Sequence, residues 1–138
     1  MTYPHTVGTL TLFIPGVPSN TNRSGHFGSG KWQTVGERKK FRALTAEIAK
    51  EQAELQHWTP SNFTIISAYH CSPVKRRRDP LGLAERLKSI MDGLVDAEII
   101  PDDDELHIQV NLRASIKADT AGIALVLRAM THEEEGNE

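Results

Sequence analysis

The sequence lacks the residues that would support a disulfide-stabilised, zinc-binding or membrane-spanning protein. Its one cysteine, Cys71, has no second cysteine to bond with, and the six histidines show no spacing typical of a zinc site. No apolar run approaches the ~18 residues that a membrane-spanning helix needs. The first residues lack the basic and apolar regions of a signal peptide. We therefore expect a cytoplasmic protein.

The chain also lacks an excess of positive charge. Its 16 Lys and Arg residues are balanced by 18 Asp and Glu residues, which gives a formal net charge of −2. Any nucleic-acid site must therefore come from a local basic patch rather than from overall charge. With 138 residues, 38% of them apolar and 25% charged, the composition is typical of one globular domain.

Hydrophobic periodicity predicts the element order β-α-β-α-β-β. Alternation of period two marks strands at about 7–14, 106–114 and 123–127, and the 106–114 alternation predicts one buried face. β-Branched and aromatic residues mark a further strand at 63–71. Helical periodicity marks about 35–56 and 83–97, with a polar loop at 19–30. The pattern predicts an α+β domain in which two main helices pack on a small mixed sheet of about four strands. We expect this single domain to span 1–130, followed by an acidic, disordered tail over 131–138.

A run of four basic residues, Lys75, Arg76, Arg77 and Arg78, follows the second predicted strand. One interpretation is a solvated loop, with which the composition is compatible. The functional interpretation is a phosphate clamp. The planar guanidinium group binds phosphate oxygens in pairs, and each neutralised phosphate releases counterions.

Acidic residues lie on both sides of the second predicted helix. Asp79 directly follows the basic run, and Asp102, Asp103 and Asp104 come after the helix. Carboxylates repel phosphate unless a divalent cation such as Mg²⁺ lies between them, where it would also activate a water molecule. The structural alternative is that Asp79 caps the helix and the triplet forms a turn, since aspartate serves well in both positions.

Lys88 and Asp92 lie four positions apart on the same predicted helix. This spacing allows a surface ion pair worth a few tenths of a kcal/mol, roughly 0.2–0.5. In the alternative interpretation, Lys88 faces the acidic cluster and a scissile phosphate.

Three motifs in this order resemble those of the RusA-type Holliday junction resolvases. The segment Arg76-Arg77-Arg78-Asp79 resembles the start of the family's R-R-R-D-x-D-N-L motif. The segment Lys88-Ser-Ile-Met-Asp92-Gly-Leu resembles its K-x-x-x-D-x-L helix, and Ile100-Pro-Asp102-Asp103 resembles its downstream D-D pair. Near the N-terminus, Pro18-Ser19-Asn20-Thr21-Asn22-Arg23 is similar to the family's P-S-N-N-R loop. The resemblance covers nearly the whole chain in order and spacing.

The resemblance implies a homodimeric crossover junction endodeoxyribonuclease of DNA recombination and repair, with a prophage as a usual setting. It implies paired nicks in four-way DNA junctions, made with Mg²⁺ or Mn²⁺. Position by position, it assigns catalysis to Asp79, Lys88 and Asp103, and metal binding to Asp79, Asp102 and Asp103. We expect the 63–71 and 106–114 strands to be neighbours, with Asp103 at the C-terminal end of the earlier strand, because Asp79 and Asp103 lie at opposite ends of the helix between them. Asp92 matches a further acid on the family's helix. The implied DNA-binding residues are Lys75, Arg76, Arg77, Arg78, Asn20, Asn22 and Arg23.

One departure from the family pattern affects the metal site. Leu81 stands where the family has its second aspartate, and Gly82 replaces the asparagine. A leucine cannot bind a metal, so the metal is held by Asp79, Asp103 and waters, or Asp102 or Glu85 completes the site, or the site is weak or inactive. In the last case the chain is a junction- or DNA-binding module. A third alternative is a small adaptor whose arginine run binds an acidic partner.

Overall fold

A single mixed sheet with two helices forms the described part of the chain. The computed structural model describes residues 3–16, 28–73, 87–113 and 115–133. Within these residues the elements are β1 (Tyr3–Pro15), α1 (Gly28–Leu55), β2 (Phe63–Ser72), α2 (Lys88–Asp96), β3 (Ile108–Leu112), β4 (Ile116–Lys117) and β5 (Gly122–Glu133). The predicted α+β fold is confirmed.

The sheet contains a parallel pair, β2 and β3, that places the candidate site, and the short β4 is also parallel to β2. The strand order is β1-β5-β2-β3, with β4 paired to β2 beyond the end of β3. Strand β5 is antiparallel to both β1 and β2, whereas β2 and β3 are parallel. A parallel pair needs a crossover connection, and α2 lies within that connection.

The core lies between the two helices and one face of the sheet. Alternate residues of β1, β2 and β5 point into this core. They include Leu10, Leu12, Ile66, Ala68, Leu125 and Leu127. The predicted apolar stripe of the second helix is confirmed, because Leu87, Ile90, Met91 and Leu94 are all buried in this core. Leu83, the first residue of that predicted stripe, lies outside the described residues. No helix in the described part of the chain is both long and apolar enough to cross a membrane.

Close packing of α2 on α1 depends on Gly93. A Cβ atom at this position would lie 2.6 Å from the Arg42 carbonyl oxygen and 2.7 Å from the Thr45 Cβ atom. Both distances are shorter than a side chain tolerates without movement of the backbone. The glycine therefore lets the two helices approach each other at this turn.

Two predicted strands differ in length from the structure. Leu106 lies in the turn before β3 and is 76% exposed, while Val110 in β3 is 37% exposed. The expected buried face of the 106–114 strand is therefore incomplete, because β3 lies at the edge of the sheet. Strand β5 continues to Glu133, which pairs with Tyr3 of β1. The predicted tail boundary at 131 is thus three residues too early, and 134–138 lie outside the described residues.

Helix α1 begins earlier than predicted, and α2 is shorter within the described chain. Gly28–Leu55 is helical, so the predicted loop at 19–30 does not include residues 28–30. Residues 17–27 lie outside the description. Helix α2 begins at Lys88 with Leu87 at its N-cap, and no side chain caps it. Asp79, the candidate cap of the predicted helix, lies outside the described residues.

Candidate functional site

The chain reverses direction directly after α2 and returns to the start of that helix. The backbone N–H groups of Ala97 and Ile99 donate to the carbonyl oxygens of Gly93 and Leu94, at 3.0 and 2.9 Å. Between them Glu98 has a φ of 59°, the left-handed conformation that commonly ends helices. Ile99 and Ile100 are then buried in the core. These contacts fix the segment that carries the aspartate triplet.

Lys88 contacts two carboxylates at once. Its Nζ atom lies 2.8 Å from Asp103 Oδ2 and 3.3 Å from Asp92 Oδ1. The Lys88 side chain is 68% exposed, whereas those of Asp103 and Asp92 are 25% and 30% exposed. Both contacts considered for Lys88 from the sequence are present, since it pairs with the acid on its own helix and also faces the acidic triplet.

The Lys88–Asp103 contact favours the charged form of both groups. Its hydrogen bond is the main cause that lowers the pKa of Asp103, and it is also the main cause that raises the pKa of Lys88. Asp103 is therefore ionised at neutral pH, the state in which a carboxylate binds a divalent cation.

The other two aspartates of the triplet have different environments. Asp102 Oδ1 accepts a hydrogen bond from the Asp103 backbone N–H at 2.8 Å. Asp104 Oδ1 accepts from the Leu106 backbone N–H at 3.1 Å and lies 2.5 Å from His107 Nδ1. The structural interpretation as a turn residue is thus confirmed for Asp104. The Asp103 side chain instead contacts Lys88.

The register of the parallel pair places Asp103 at the opposite end of β2 from the one expected. For Asp79 and Asp103 to meet, β2 and β3 must be neighbours, and they are. We also expected Asp103 at the C-terminal end of β2. In the structure Ile108 pairs with Thr64, whose backbone N–H donates to the His107 carbonyl oxygen at 2.9 Å. The expectation was wrong because parallel strands begin at the same edge, and the triplet precedes β3.

This register sets a requirement on any shared site of Asp79 and Asp103. Strand β2 rises by about 3.3 Å per residue, so the chain leaving Ser72 starts roughly 26 Å from the Thr64 end. It must recover that distance before Asp79 can approach Asp103. The chain has returned to the Thr64 end of β2 by the start of α2, because Lys88 contacts Asp103 there.

Several residues assigned from the motifs lie outside the described part of the chain. They are Asn20, Asn22, Arg23, Lys75, Arg76, Arg77, Arg78, Asp79, Leu81, Gly82 and Glu85. Among the residues that the structure describes, no group of three or more His, Cys, Asp or Glu side chains is arranged to hold a metal ion. The carboxylates of Asp102 and Asp103 have the oxygen chemistry that Mg²⁺ prefers. Mg²⁺ is usually held by one or two carboxylates, and waters and phosphate complete its coordination.

A second ion pair beside the site was not predicted from the sequence. Arg42 in α1 donates from Nε and Nη2 to the two carboxylate oxygens of Asp96, at 2.6 and 2.9 Å. This pair lowers the pKa of Asp96 and raises that of Arg42, which the charge of Asp92 raises further. The spacing of Lys88, Asp92 and Asp96 indicates one charged edge of α2. No local sequence pattern indicates that Arg42 of α1 is the partner of Asp96.

Comparison with known proteins adds no relative to this description. No protein-family model matches the chain, and no curated protein matches it significantly.

Proposed function

We propose that the protein is a metal-dependent endonuclease of the RusA type, which resolves four-way (Holliday) DNA junctions by paired phosphodiester cleavage. The main support for this proposal is the contact between Lys88 and Asp103. These residues are 15 positions apart in the chain. They match the family's catalytic lysine and downstream aspartate, and in the fold they touch.

The number of acids around Lys88 exceeds what stability requires. An exposed ion pair contributes about 0–1 kcal/mol, and one carboxylate would be enough to form it. Here Asp92 and Asp103 both contact the ammonium group, and Asp102 lies beside Asp103. The carboxylates therefore outnumber the single ammonium group, and this excess of negative charge favours binding of a divalent cation.

Each residue has a distinct role in the proposed cleavage. Asp103 and Asp102, with Asp79, would hold Mg²⁺ or Mn²⁺, which supplies an activated water and charge stabilisation when bound. The Lys88 ammonium group lies beside Asp103, where it can stabilise negative charge that develops on the phosphate oxygens. Asp92 contacts the same ammonium group and would help to position it if Asp103 held the metal.

DNA binding and dimerisation complete the proposal. Lys75 and the Arg76–Arg78 run, together with Asn20, Asn22 and Arg23, would contact backbone phosphates. A four-way junction has two-fold symmetry, so paired cuts require two sites related by a matching axis, as in a homodimer. The sheet face opposite the core, with Phe13 37% exposed and Ile65, Tyr69 and Val126 partly exposed, offers a contact surface for the second copy.

A second candidate is a junction-binding module that has lost catalysis. The Lys88 ammonium group already neutralises Asp103, and Leu81 and Gly82 replace the family's second aspartate and its asparagine. Both observations favour a site that does not need a metal.

Incubation of the purified chain with a synthetic four-way junction separates these candidates. Reactions with Mg²⁺ or Mn²⁺ are compared with reactions in EDTA, and a linear duplex of the same sequence is the control. We expect symmetrically nicked products from the junction only when metal is present. Binding without cleavage would favour the inactive module, and the absence of both would contradict the proposed function.

A further inference from the structure

Helix α1 carries an exposed basic cluster that the proposed site does not use. We define the α1 basic cluster as Arg38, Lys39 and Lys40. All three side chains are exposed, and none forms an ion pair with another residue in the described part of the chain. Arg42, one turn further on, is held by Asp96.

No structural role accounts for the α1 basic cluster. The cluster begins ten positions after Gly28, the first residue of α1, and the helix dipole acts only within the first and last turns. The second half of α1 has the opposite character, since Glu47, Glu51 and Glu54 outnumber Lys50 there. Positive charge is thus concentrated in the first half of the helix.

Arg38, the first residue of the α1 basic cluster, lies one turn from an ion pair between α1 and α2. Arg38 and Arg42 lie four positions apart and therefore on the same face of α1. Arg42 bonds to Asp96 in α2, so this face is turned towards α2. Asp96 is in turn four positions from Asp92, which contacts Lys88. Charged side chains therefore follow one another at one-turn spacing from Arg38 along both helices to the Lys88–Asp103 contact.

We propose that the α1 basic cluster binds backbone phosphates of a DNA duplex arm whose scissile phosphate lies at the Lys88–Asp103 contact. This inference rests on the proposed function and extends the DNA-binding surface beyond the residues that the motifs assign. The positive charge of the cluster favours an anionic ligand such as DNA phosphate. These cations form a local positive patch although the formal net charge of the chain is −2. Each phosphate that they neutralise releases counterions and contributes about 0.9 to the salt slope.

The test compares two triple variants that remove the same charge at different places. The cluster variant is Arg38→Ala, Lys39→Ala, Lys40→Ala, and the control is Lys50→Ala, Arg113→Ala, Lys117→Ala, three other exposed cations. Alanine is the best helix former, so α1 is expected to remain folded. A second cluster variant with Gln at all three positions keeps side-chain size in case the alanine variant does not fold. Fluorescence anisotropy measures binding of a labelled four-way junction in EDTA, across a salt series.

We expect the cluster variants to lower the salt slope by about two to three units and the control to keep the slope of the unmodified chain. We also expect the affinity of the cluster variants at 0.1 M salt to fall by about tenfold or more. Equal binding by the cluster variants and the unmodified chain would overturn this inference and leave the proposed function standing. Equal weakening of the cluster and control variants would also overturn it, because the effect would then arise from net charge. If the unmodified chain binds no DNA, the proposed function and this inference are both wrong.

Discussion

The Lys88 ammonium group touches the Asp103 carboxylate at 2.8 Å, although the two residues are 15 positions apart. The reversal after α2 creates this contact. The left-handed Glu98 and the buried Ile99 and Ile100 fix the returning chain against the core. The packed core beneath the returning chain therefore holds the segment that carries Asp103 in place.

Removal of the ammonium group should affect cleavage much more than DNA binding. We predict that Lys88→Ala lowers kcat for junction cleavage by about 10²- to 10³-fold, the cost of losing one group that stabilises the transition-state charge. Single-turnover cleavage and junction binding are measured on the same preparation. Lys50→Ala, which removes an exposed lysine from α1, is the control. A Lys88→Ala variant that cleaves at the normal rate would exclude Lys88 from catalysis.

A methyl group at position 93 should separate the two helices. Gly93→Ala places a Cβ atom against the Arg42 carbonyl oxygen and Thr45, and we expect it to lower the free energy of unfolding by about 1–3 kcal/mol. Gly36→Ala is a matched control, because a Cβ atom there meets nothing within 4 Å. The control should stabilise the chain by about 0.5–1 kcal/mol. Urea denaturation measures both, and equal effects of the two substitutions would contradict the close packing at Gly93.

The contribution of the Arg42–Asp96 pair should disappear in acid. Arg42 holds the pKa of Asp96 below its ordinary value of 3.8. A group with a lowered folded-state pKa contributes stability above its unfolded pKa, and this contribution is lost as the pH falls through the folded-state value. Asp96→Asn should therefore be less stable than the unmodified chain at pH 6–7, and the difference should shrink below about pH 4. Chemical denaturation at several pH values measures it.

The matching variant Arg42→Gln isolates the pair from the other carboxylates that titrate in the same range. In a double-mutant cycle, the coupling between Arg42 and Asp96 should be present at neutral pH and absent in strong acid. A coupling that does not change with pH would show that the pair does not act through the Asp96 charge.

Two active sites for paired cleavage require two chains. We predict that light scattering at micromolar concentration gives twice the 15.3 kDa mass of one chain. A mass of one chain that stays unchanged when junction DNA is added would contradict the homodimer.

Local pattern predicted those parts of the fold that depend on local contacts. The helical spacing of Leu87, Ile90 and Leu94 indicated the buried stripe of α2, and alternation of period two indicated that β1 and β5 are strands. The end of β5 depends instead on pairing with β1, more than a hundred positions away in the chain. Strand β4 is only two residues long, too short for a period to be visible.

The candidate site was predictable in composition but not in arrangement. The resemblance of the motifs assigned Lys88 and Asp103 to one catalytic site. Their position at the start of β2 depends on the parallel register of Thr64 with Ile108, which alternation within a strand does not determine. The Arg42–Asp96 pair depends on helix packing at Gly93, which joins segments far apart in the sequence.

Cleavage of a synthetic four-way junction by the unmodified chain and by Asp103→Asn tests the proposed function most directly. Both proteins are incubated with the junction in Mg²⁺ and in EDTA, and binding is measured on the same samples. We predict Mg²⁺-dependent paired nicks from the unmodified chain and none from Asp103→Asn. The variant should bind the junction equally or more tightly, because a negative charge that faces phosphate has been removed. Mg²⁺-dependent cleavage by Asp103→Asn at the rate of the unmodified chain would contradict the assignment of the site.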